Sequence, residues 1–539
     1  MPVSGRTVTR SLVATTAVAL IAAGAAPAAQ AGPTQADRPS RAALAPRTEF
    51  TMAADGSSGA KVGGERIPNI DSVKSTIRAY YNAKDGIADK STSPYISEMA
   101  EITAKSLAAL PTVDPAAKKA IVLDADDTTL WTYDMEDAAM HFNFDPALQD
   151  VWVQEKKFPA TPSMVAYVNA VQAKGYAVFG LTGRSSAQED ATLTNLSTLG
   201  YTGFTNADFF TKWVAPADQP AYVTCATAKC TTVEYKANTR KHIEQDLGYD
   251  IALNVGDQWS DLQGGYADAT LKLPNPTYYL PSPDIAGAPR SDRHLTPRTH
   301  FTMKPDGSSG LDQGGEGIPN IDSVKSTIRT YYRATNGIAD KTSSPYISEL
   351  DHLTKRWAGT VQQSCRKATR HHGTAAIVLD ADDTTLWTYD MEDAAMKFNF
   401  DPALQDIWVQ DQRFPATPKM ARVVKAAQRG GCRIVGLTGR NDNQKAATIA
   451  NLNKLYDGAF TPGLYFTKWT GVGASQQPAY VTCAAAKCTT VEYKSQTRRH
   501  IEHDLHLKIV ANFGDQFSDL IGGHAQKAYK LPNPTYYLP

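Results

Sequence analysis

A stretch that occurs twice, letter for letter, constrains this chain more than any other feature of its sequence. It runs AIVLDADDTTL, from Ala120 to Leu130 and again from Ala376 to Leu386. The apolar run indicates a short strand buried on both faces, as in a parallel sheet, and it ends in a cluster of carboxylates. Residues two apart in a strand point the same way, so Asp124 and Asp126 can face one pocket. The alternative is a solvated turn in which Asp and Thr cap a helix.

This stretch belongs to a longer unit that is present twice in the 539 residues. Other matching segments are PRTEFTM at Pro46 with PRTHFTM at Pro297, IPNIDSVKSTIR at Ile67 and Ile318, and LPNPTYYLP at Leu273 and Leu531. The unit is about 240 residues long, which suits a domain with its own core rather than a short solenoid repeat. We therefore predict two domains, 46–281 and 297–539, joined by a linker at 282–296 that contains proline and glycine and has no apolar period.

Residues 1–31 have the pattern of a secretory signal peptide. Arg6 and Arg10 precede an apolar run from Leu12 to Ala26, and small residues at Ala29-Gln30-Ala31 allow cleavage. A retained membrane anchor is the alternative, but the run is short and rich in alanine. Residues 32–45 have no periodicity, and we expect a disordered leader. The sequence thus predicts a secreted, extracellular protein without a membrane partner.

The charge of the chain excludes broad electrostatic functions. Lysine and arginine total 55, as do aspartate and glutamate, so the net charge is zero. No overall field attracts the protein to nucleic acid or to an anionic membrane, and we expect neither as a partner. The oligomeric state is left open by the sequence.

The six cysteines fall into three candidate pairs, which secretion permits to be disulfides. Two of the pairs each enclose a short loop, and the third occurs only in the second repeat. A zinc site is the alternative for the short loops, but neither has a second Cys or His pair at ligand spacing. The predicted disulfides are Cys225–Cys230, Cys483–Cys488 and Cys365–Cys432.

Apolar periodicity predicts strands that alternate with helices, and therefore an α/β fold with a parallel sheet and right-handed crossovers. The helices predicted in the first repeat are Ile70–Tyr81 with Asp71 as its cap, Pro94–Leu110, Pro162–Ala173 and Tyr235–Leu247. The predicted strands are Ala120–Leu123, Ala177–Leu181 and Ile251–Val255. An aromatic-rich insertion, Trp131–Phe158, follows the first strand. Its aromatic rings either stack on a ligand or form the core of the insertion, and we favour the core for Phe142 and Phe144.

Each predicted strand stops at polar residues. The first ends at Asp124 and Asp126, the second at Thr182-Gly183-Arg184, and the third at Gly256-Asp257, with Asp261 four residues further on. In open α/β sheets the ligand crevice lies beyond the carboxyl ends of the strands, so these three endings are expected to meet there. A single Gly-Asp or Thr-Gly-Arg is common in turns, but this ordered set is present twice.

The set matches what phosphoryl transfer to a carboxylate requires. Asp124 is placed as the nucleophile and Asp126 as general acid and then general base. Oxygen ligands from Asp124, Asp257 and Asp261 favour Mg²⁺ over Zn²⁺. The hydroxyl of Thr182 and the N–H of Gly183 can donate to phosphate oxygens. A lysine is needed for the remaining charge, and we choose Lys236 over the rival cations, which are Lys212, Lys229, Lys241 and Arg240.

With these residues in place, the pattern resembles the haloacid-dehalogenase superfamily of phosphatases. Its D-x-D-x-T motif is Asp124, Asp126 and Thr128, and the lysine precedes G-D-x-x-x-D at Gly256. LTGR at Leu181, GDQWSDL and KLPNPTYYL are similar to the acid phosphatases that include bacterial class B enzymes, plant acid phosphatases and vegetative storage proteins. The resemblance implies tandem Rossmann-like domains with a small cap, Mg²⁺, and hydrolysis of small phosphomonoesters, often at acidic pH. It also implies that the backbone carbonyl of Asp126 ligates the metal.

The second repeat carries the same groups. The catalytic pair is Asp380 and Asp382, the phosphate-binding residues are Thr438, Gly439 and Lys494, and the metal ligands are Asp380, Asp382, Asp515 and Asp519. Arg184 and Arg440 follow the phosphate-binding glycines and either touch phosphate or lie at the rim. His141 is Lys397 in the other repeat, which argues against a catalytic histidine.

The leading prediction is a secreted, Mg²⁺-dependent acid phosphatase with two active sites. The alternatives are a storage or ligand-binding protein on the same fold, because some relatives of this family have lost activity, and a phosphotransferase that passes the aspartyl phosphate to an alcohol. Aspartate at both nucleophile positions argues against the storage function.

Overall fold

The computed structural model describes residues 58–62, 65–282, 285, 309–313 and 316–538. The predicted signal peptide, the leader and most of the linker lie outside these residues. Among the residues described, no helix is both long enough and apolar enough to cross a membrane.

The described part of the first repeat starts with an antiparallel hairpin, β1 (Ser58–Val62) and β2 (Glu65–Ile67), followed by helices and strands in alternation. These are α1 (Ile70–Tyr80), α2 (Pro94–Ala109), β3 (Lys119–Leu123), α3 (Pro146–Gln154), α4 (Met164–Ala173), β4 (Ala177–Ser185), α5 (Glu189–Thr198), β5 (Phe209–Lys212), α6 (Thr232–Gln245), β6 (Asp250–Gly256), α7 (Trp259–Leu262) and β7 (Thr270–Lys272). A single π-helical turn, Met135–Ala139, lies in the insertion between β3 and α4.

The second repeat has the same order of elements. Its hairpin is β8 (Ser309–Gln313) and β9 (Glu316–Ile318). It continues with α8 (Ile321–Tyr332), α9 (Pro345–His372), β10 (Ala375–Leu379), a π-helical turn (Met391–Ala395), α10 (Pro402–Gln410), α11 (Met420–Arg429), β11 (Cys432–Asn441), α12 (Lys445–Leu455), β12 (Tyr465–Lys468), α13 (Thr490–His503), β13 (Lys508–Gly514), α14 (Phe517–Leu520) and β14 (Ala528–Lys530).

Each repeat contains a five-stranded sheet in which all neighbouring strands are parallel. The strand orders are β5-β4-β3-β6-β7 and β12-β11-β10-β13-β14. The central strands β3 and β10 are buried almost throughout, because helices cover both faces of each sheet. The predicted α/β fold with parallel sheets is therefore confirmed. Strands β5 and β7 were not predicted because they are short edge strands of four and three residues, without a long apolar run.

Several predicted helix boundaries are wrong for local reasons. Asn69, not Asp71, caps α1, since its side chain accepts hydrogen bonds from the N–H groups of Asp71 and Ser72. Helix α4 begins at Met164 rather than Pro162, because Ser163 adopts a left-handed conformation with φ 66°. Helix α6 begins at Thr232, earlier than predicted, after a capping box that joins Thr231 and Glu234.

The repeats differ most between the second helix and the first strand of the sheet. Helix α2 has 16 residues, whereas α9 has 28. Pro111 and Pro115 follow α2 and prevent its continuation, while the second repeat has no proline between Pro345 and β10. The longer α9 brings Cys365 to Cys432 at the start of β11, with a Cα–Cα distance of 5.4 Å.

The structure contains all three disulfides in the predicted pairing. Two of them close the short loops before α6 and α13. The third joins α9 to β11 and has no counterpart in the first repeat. No free cysteine remains.

Removing the Cys365–Cys432 bond is expected to destabilise the protein more than removing Cys225–Cys230. The two bonds span 67 and 5 residues, and the loop-entropy model gives about 4 kcal/mol for the longer loop and about 2 kcal/mol for the shorter. Double Cys→Ser variants of each pair, compared with the wild type by differential scanning calorimetry, test this expectation. A larger fall in Tm for the short-loop variant would contradict it.

Candidate active site

The strand register brings three strand ends to one edge of each sheet. Leu123 of β3 lies opposite Gly180 of β4 and Val255 of β6. The N–H of Asp124 donates to the carbonyl oxygen of Val255 at 3.1 Å, so β3 is tied to β6 where it ends. The second sheet has the same register at Leu379. The residues that follow β3, β4 and β6 therefore surround one crevice in each repeat.

Three carboxylates gather at this edge. Asp124, Asp257 and Asp261 are buried and each offers an oxygen atom within 4.8 Å of the other two, and the second repeat repeats the cluster. Three ionised carboxylates beside one lysine leave two negative charges, and burial makes that excess unfavourable. This charge and the all-oxygen donor set fit a divalent cation such as Mg²⁺. The cluster of the second repeat consists of Asp380, Asp515 and Asp519.

Lys236 is the cation that the structure brings to the cluster. Its Nζ lies 2.7 Å from Oδ1 of Asp124 and 2.7 Å from Oδ1 of Asp261, and the residue is 3% exposed. Lys494 bridges Asp380 and Asp519 in the same way, at 2.7 and 2.5 Å. The rivals do not reach the carboxylates: Lys229 and Lys241 are exposed, Lys212 is half-buried at the end of β5, and Arg240 donates to the backbone carbonyls of Asp261, Gln263 and Gly265.

The pKa shifts follow from this crowding. Burial raises the pKa of Asp124 well above its usual range, against the opposing effect of Lys236. Burial, together with the nearby Asp261 and Asp127, raises the pKa of Asp257 to about 7. For Lys236, burial lowers the pKa, but the two carboxylates outweigh it and the net shift is upward. The lysine thus stays charged while the acids compete for protons in the absence of a cation.

Gly256 permits the close approach of Asp261. A Cβ atom on Gly256 would lie 2.5 Å from Cβ of Asp261, and one on Gly514 would lie 2.4 Å from Cβ of Asp519. Oδ2 of Asp261 accepts from the N–H of Gln258 at 2.9 Å, which closes the short helix α7. The glycine of the G-D-x-x-x-D motif is therefore required by packing against the last aspartate.

Asp257 is held by two amide side chains. Gln258 and Asn275 each donate from their amide nitrogen to Oδ2 of Asp257 at 2.7 Å. The hydroxyl of Thr128 lies 3.4 Å from Oδ1. The sequence reasoning missed Asn275, although its segment LPNPTYYLP is identical in both repeats. In the second repeat Asn533 and Gln516 donate to Asp515 at 2.8 and 2.7 Å.

Arg184 is buried and pairs with Asp126. Its Nη2 and Nε donate to the two oxygens of Asp126 at 2.6 and 3.1 Å, and Nη1 donates to the hydroxyl of Thr192 at 2.9 Å. Arg440 holds Asp382 in the same way. A planar guanidinium fixes the orientation of a carboxylate through two parallel hydrogen bonds. Asp126 is therefore oriented by an arginine from the next strand.

Asp127, the third aspartate of the repeated stretch, was also missed. It has φ 49° and is buried, and it accepts hydrogen bonds from the N–H and the hydroxyl of Thr132 and from Asn275 at 3.3 Å. Burial raises its pKa to about 7, against the hydrogen bonds from Thr132. Its raised pKa and its contact with Asn275 link it to the carboxylate cluster.

The end of β4 has a buried hydroxyl group, that of Thr182, next to an exposed glycine, Gly183. Thr182 is fully buried, and its Oγ1 accepts from the N–H of Arg184 at 3.2 Å. Gly183 is exposed, and a Cβ atom built there would meet no atom within 4 Å; the same holds for Gly439. The backbone at this glycine thus faces open space at the crevice.

Most aromatic side chains of the insertion that are named here belong to the hydrophobic core and do not form an exposed surface for stacking. Trp131 and Tyr133 are buried and their rings pack near that of Tyr81. Phe142 is buried as expected, but the expectation for Phe144 is wrong, because it is 65% exposed. Phe144 directly precedes Asp145, the cap residue of α3.

The fold and the site together define a class, the α/β proteins in which carboxylates from successive strand ends surround one buried lysine. Within that class, the chain belongs to the HAD superfamily, subfamily IIIB (Acid phosphatase), whose family model matches residues 51–281 and 326–539. Both repeats are covered by the match.

The chain is similar to several curated plant proteins. It is 32% identical to the Stem 28 kDa glycoprotein of Glycine max over 139 residues, which are 25% of this chain and 50% of that protein. It is 29% identical to Acid phosphatase 1 of Solanum lycopersicum over 175 residues, 30% of this chain and 63% of that protein. It is 26% identical to Vegetative storage protein 1 of Arabidopsis thaliana over 177 residues, which are 30% of this chain and 60% of that protein. The chain thus spans between half and two thirds of the length of these relatives.

A solved structure, the Class C acid phosphatase from Bacillus anthracis, is similar over 36% of this chain and 72% of that chain. The TM-score is 0.28 and the sequence identity is 20%.

Mg²⁺ is expected to stabilise the protein, and to do so more strongly at pH 8 than at pH 5. Without a cation, Asp127 and Asp257 have pKa values of about 7 in the folded chain against 3.8 ordinarily. Protonation of these two groups therefore stabilises the folded state. This contribution to the free energy of unfolding is complete below about pH 4 and is lost as the pH rises through 7. A cation that replaces the protons restores it.

Calorimetry with Mg²⁺ and with EDTA at both pH values measures this shift in Tm. The variant Asp257→Asn with Asp515→Asn is the control, because it lacks one ligand in each cluster and should lose most of the shift. An equal shift at pH 5 and pH 8 would contradict the expectation.

Proposed function

We propose that this chain is a secreted, Mg²⁺-dependent acid phosphatase made of two tandem domains, 46–281 and 297–539, each with its own active site. The observation that carries the proposal is the buried lysine that bridges the first and last aspartates, Lys236 in one repeat and Lys494 in the other. The substrate class is small phosphomonoesters, and the membership of the acid phosphatase family supports this choice.

Asp124 is the nucleophile. Its Oδ1 is held by Lys236, and the described residues offer no hydrogen bond to Oδ2, which is left for the phosphorus atom. Attack by Oδ2 forms the Asp124–phosphorus bond as the bond from phosphorus to the ester oxygen breaks. Lys236 fixes the carboxylate for this attack and offsets part of the negative charge that substrate and cluster bring together.

Asp126 is the general acid and then the general base. It gives its proton to the departing ester oxygen, and later takes a proton from the water that attacks the aspartyl phosphate. That second attack breaks the bond from Asp124 to phosphorus and releases inorganic phosphate. Arg184 keeps the carboxylate of Asp126 in one orientation throughout.

The phosphate oxygens are bound by the second strand end. The hydroxyl of Thr182 and the N–H of Gly183 donate to them, and the open space beside Gly183 leaves room for the group. A bound Mg²⁺ would offset part of the negative charge of the phosphate and the carboxylates. Asp124, Asp257 and the backbone carbonyl of Asp126 are its proposed ligands. Asp261 lies within reach as well, but its two oxygens already accept from Lys236 and Gln258, so its main role is to hold the lysine.

Secretion is proposed from the sequence of residues 1–31. Three disulfides support it, because such bonds persist in oxidising compartments. A storage function is the second candidate, and it is favoured by the similarity to Vegetative storage protein 1 and Vegetative storage protein 2 of Arabidopsis thaliana. The two candidates differ in whether the aspartates turn over a substrate.

Replacing both nucleophiles should abolish phosphatase activity. We expect the variant Asp124→Asn with Asp380→Asn to release phosphate from p-nitrophenyl phosphate at least about 10³-fold more slowly than the wild type, since an amide cannot form the phosphoryl intermediate. Each single variant should keep the activity of the intact repeat. Full activity in the double variant would exclude the mechanism, and a wild type that binds Mg²⁺ but turns over no monoester would favour the storage function.

Loss of the paired hydrogen bonds to the general acid should lower kcat more than it changes KM. Arg184→Lys with Arg440→Lys keeps the charge but not the two parallel bonds, and we expect about a 10- to 100-fold fall in kcat. Arg78→Lys with Arg329→Lys is the matched control, because these arginines make the same paired contact with Asp137 and Asp393, which have no catalytic role here. Equal losses of kcat in the two double variants would exclude a special role for Arg184.

A further inference from the structure

The first helix of each repeat begins at an asparagine that contacts the other repeat. Oδ1 of Asn69 caps α1, whereas its Nδ2 donates to the carbonyl oxygens of Asn533 at 3.1 Å and Tyr536 at 2.8 Å. The N–H of Ile70 adds a bond to the carbonyl of Pro534 at 2.9 Å. One end of α1 is therefore bonded to the last segment of the second repeat.

The second repeat returns the same contacts. Oδ1 of Asn320 caps α8, and its Nδ2 donates to the carbonyl oxygens of Asn275 at 3.0 Å and Tyr278 at 2.8 Å. The N–H of Ile321 donates to the carbonyl of Pro276 at 2.9 Å. Both asparagines are fully buried. Loss of such a donor removes the hydrogen bond to the buried carbonyl group of Asn275 or Asn533, which is costly. The carbonyl groups of Tyr278 and Tyr536 also accept from Gln258 and Gln516 at 3.4 Å.

The segment that each asparagine holds supports a metal-ligand candidate. The backbone of Asn275 accepts from Asn320, and the side chain of Asn275 donates to Asp257 at 2.7 Å. Oδ1 of Asn275 accepts from the N–H and hydroxyl of Thr277, so the side chain has one orientation. A continuous path of hydrogen bonds therefore runs from a helix of one repeat to the carboxylate cluster of the other.

A second contact from the same helix reaches the insertion of the opposite site. Lys325, on α8, is buried and donates to the carbonyl oxygen of Phe142 and to Oδ1 of Asn143. Lys74, on α1, does the same with Phe398 and Asn399. Each first helix thus touches two segments of the other repeat, and one of these segments donates a hydrogen bond to the carboxylate cluster there.

We propose that Asn69 and Asn320 are positioning residues that act across the repeats, so that each metal site is held in shape by the other half of the chain. Asn320 serves the site of Asp257, and Asn69 serves the site of Asp515. The inference rests on the proposed Mg²⁺-dependent function and adds that neither repeat builds a complete site alone.

The test uses the full chain with one metal site disabled. In the Asp515→Asn background, binding of Mn²⁺ is titrated by the electron paramagnetic resonance signal of the free ion, so that only the first site is measured. Asn320→Asp or Asn69→Asp is then added. Aspartate keeps the Oδ1 acceptor that caps the helix but removes the Nδ2 donor, so each variant removes the hydrogen bonds from that amide to the other repeat.

We expect Asn320→Asp to raise the Kd for Mn²⁺ about 10- to 100-fold, as for other residues that orient a metal ligand, and Asn69→Asp to change it less than about twofold. In the Asp257→Asn background only the second site is measured. There Asn69→Asp should raise the Kd for Mn²⁺ and Asn320→Asp should change it little. Asn320→Ser and Asn69→Ser, which can still cap a helix without adding charge, repeat the test and should give the same exchange even if an aspartate variant folds poorly.

The outcomes separate this inference from the function on which it rests. If the Asp515→Asn chain itself fails to bind Mn²⁺, the proposed metal-dependent function is overturned, and the inference with it. If Mn²⁺ binds with a Kd that neither asparagine variant changes, or that both change equally in each background, the inference alone is overturned. Only the exchange of effects between backgrounds supports positioning across the repeats.

Discussion

The structure of each repeat depends on one electrostatic contact, the buried lysine between two buried aspartates. A buried charge costs several kcal/mol unless it is paired and hydrogen-bonded, and three carboxylates in one crevice multiply that cost. Lys236 offsets part of it by lying 2.7 Å from both Asp124 and Asp261. The lysine can do so only because α6 starts where the capping box of Thr231 and Glu234 fixes it. A local sequence signal at the helix start therefore determines the position of the charge on which the site depends.

The same contact constrains the backbone around it. Because the last aspartate must reach the lysine over the end of β6, the residue at position 256 has no room for a Cβ atom. The parallel register then places the ends of β3, β4 and β6 side by side, so that residues distant in the chain face one crevice. Two residues of the crevice are oriented from outside the motif: Asp126 by Arg184, and Asp257 by Asn275. The fold thus provides the approximate location of the acids, and these hydrogen bonds fix their direction.

The features that could be predicted from the sequence are those with a local sequence pattern. The central strands, the α/β alternation, the carboxylates at the strand ends and the choice of Lys236 all follow from apolar runs or short motifs. The partners of those groups were not predicted, because nothing local distinguishes them. Asn275 lies in a loop next to a proline, and two other roles were weighed for Arg184. The edge strands β5 and β7 were missed because four and three residues give no period. Asp127 was passed over because an acid directly after Asp126 is typical of a solvated turn, whereas the structure buries it with a left-handed φ.

The contact between repeats accounts for two of the segments that are identical in both copies. IPNIDSVKSTIR and LPNPTYYLP occur unchanged in both, and these are the segments that hydrogen-bond to one another across the repeats. The segment from Lys105 to Lys119 has diverged from Lys355 to His372, where α9 is longer and carries Cys365. That segment packs within its own repeat, so a change there can be accommodated by its immediate neighbours. A change in either identical segment instead meets a partner in the other copy, which must keep its own bonds to a carboxylate cluster. Two copies joined in this reciprocal way are free to differ in their outer helices but not in the residues through which each supports the other.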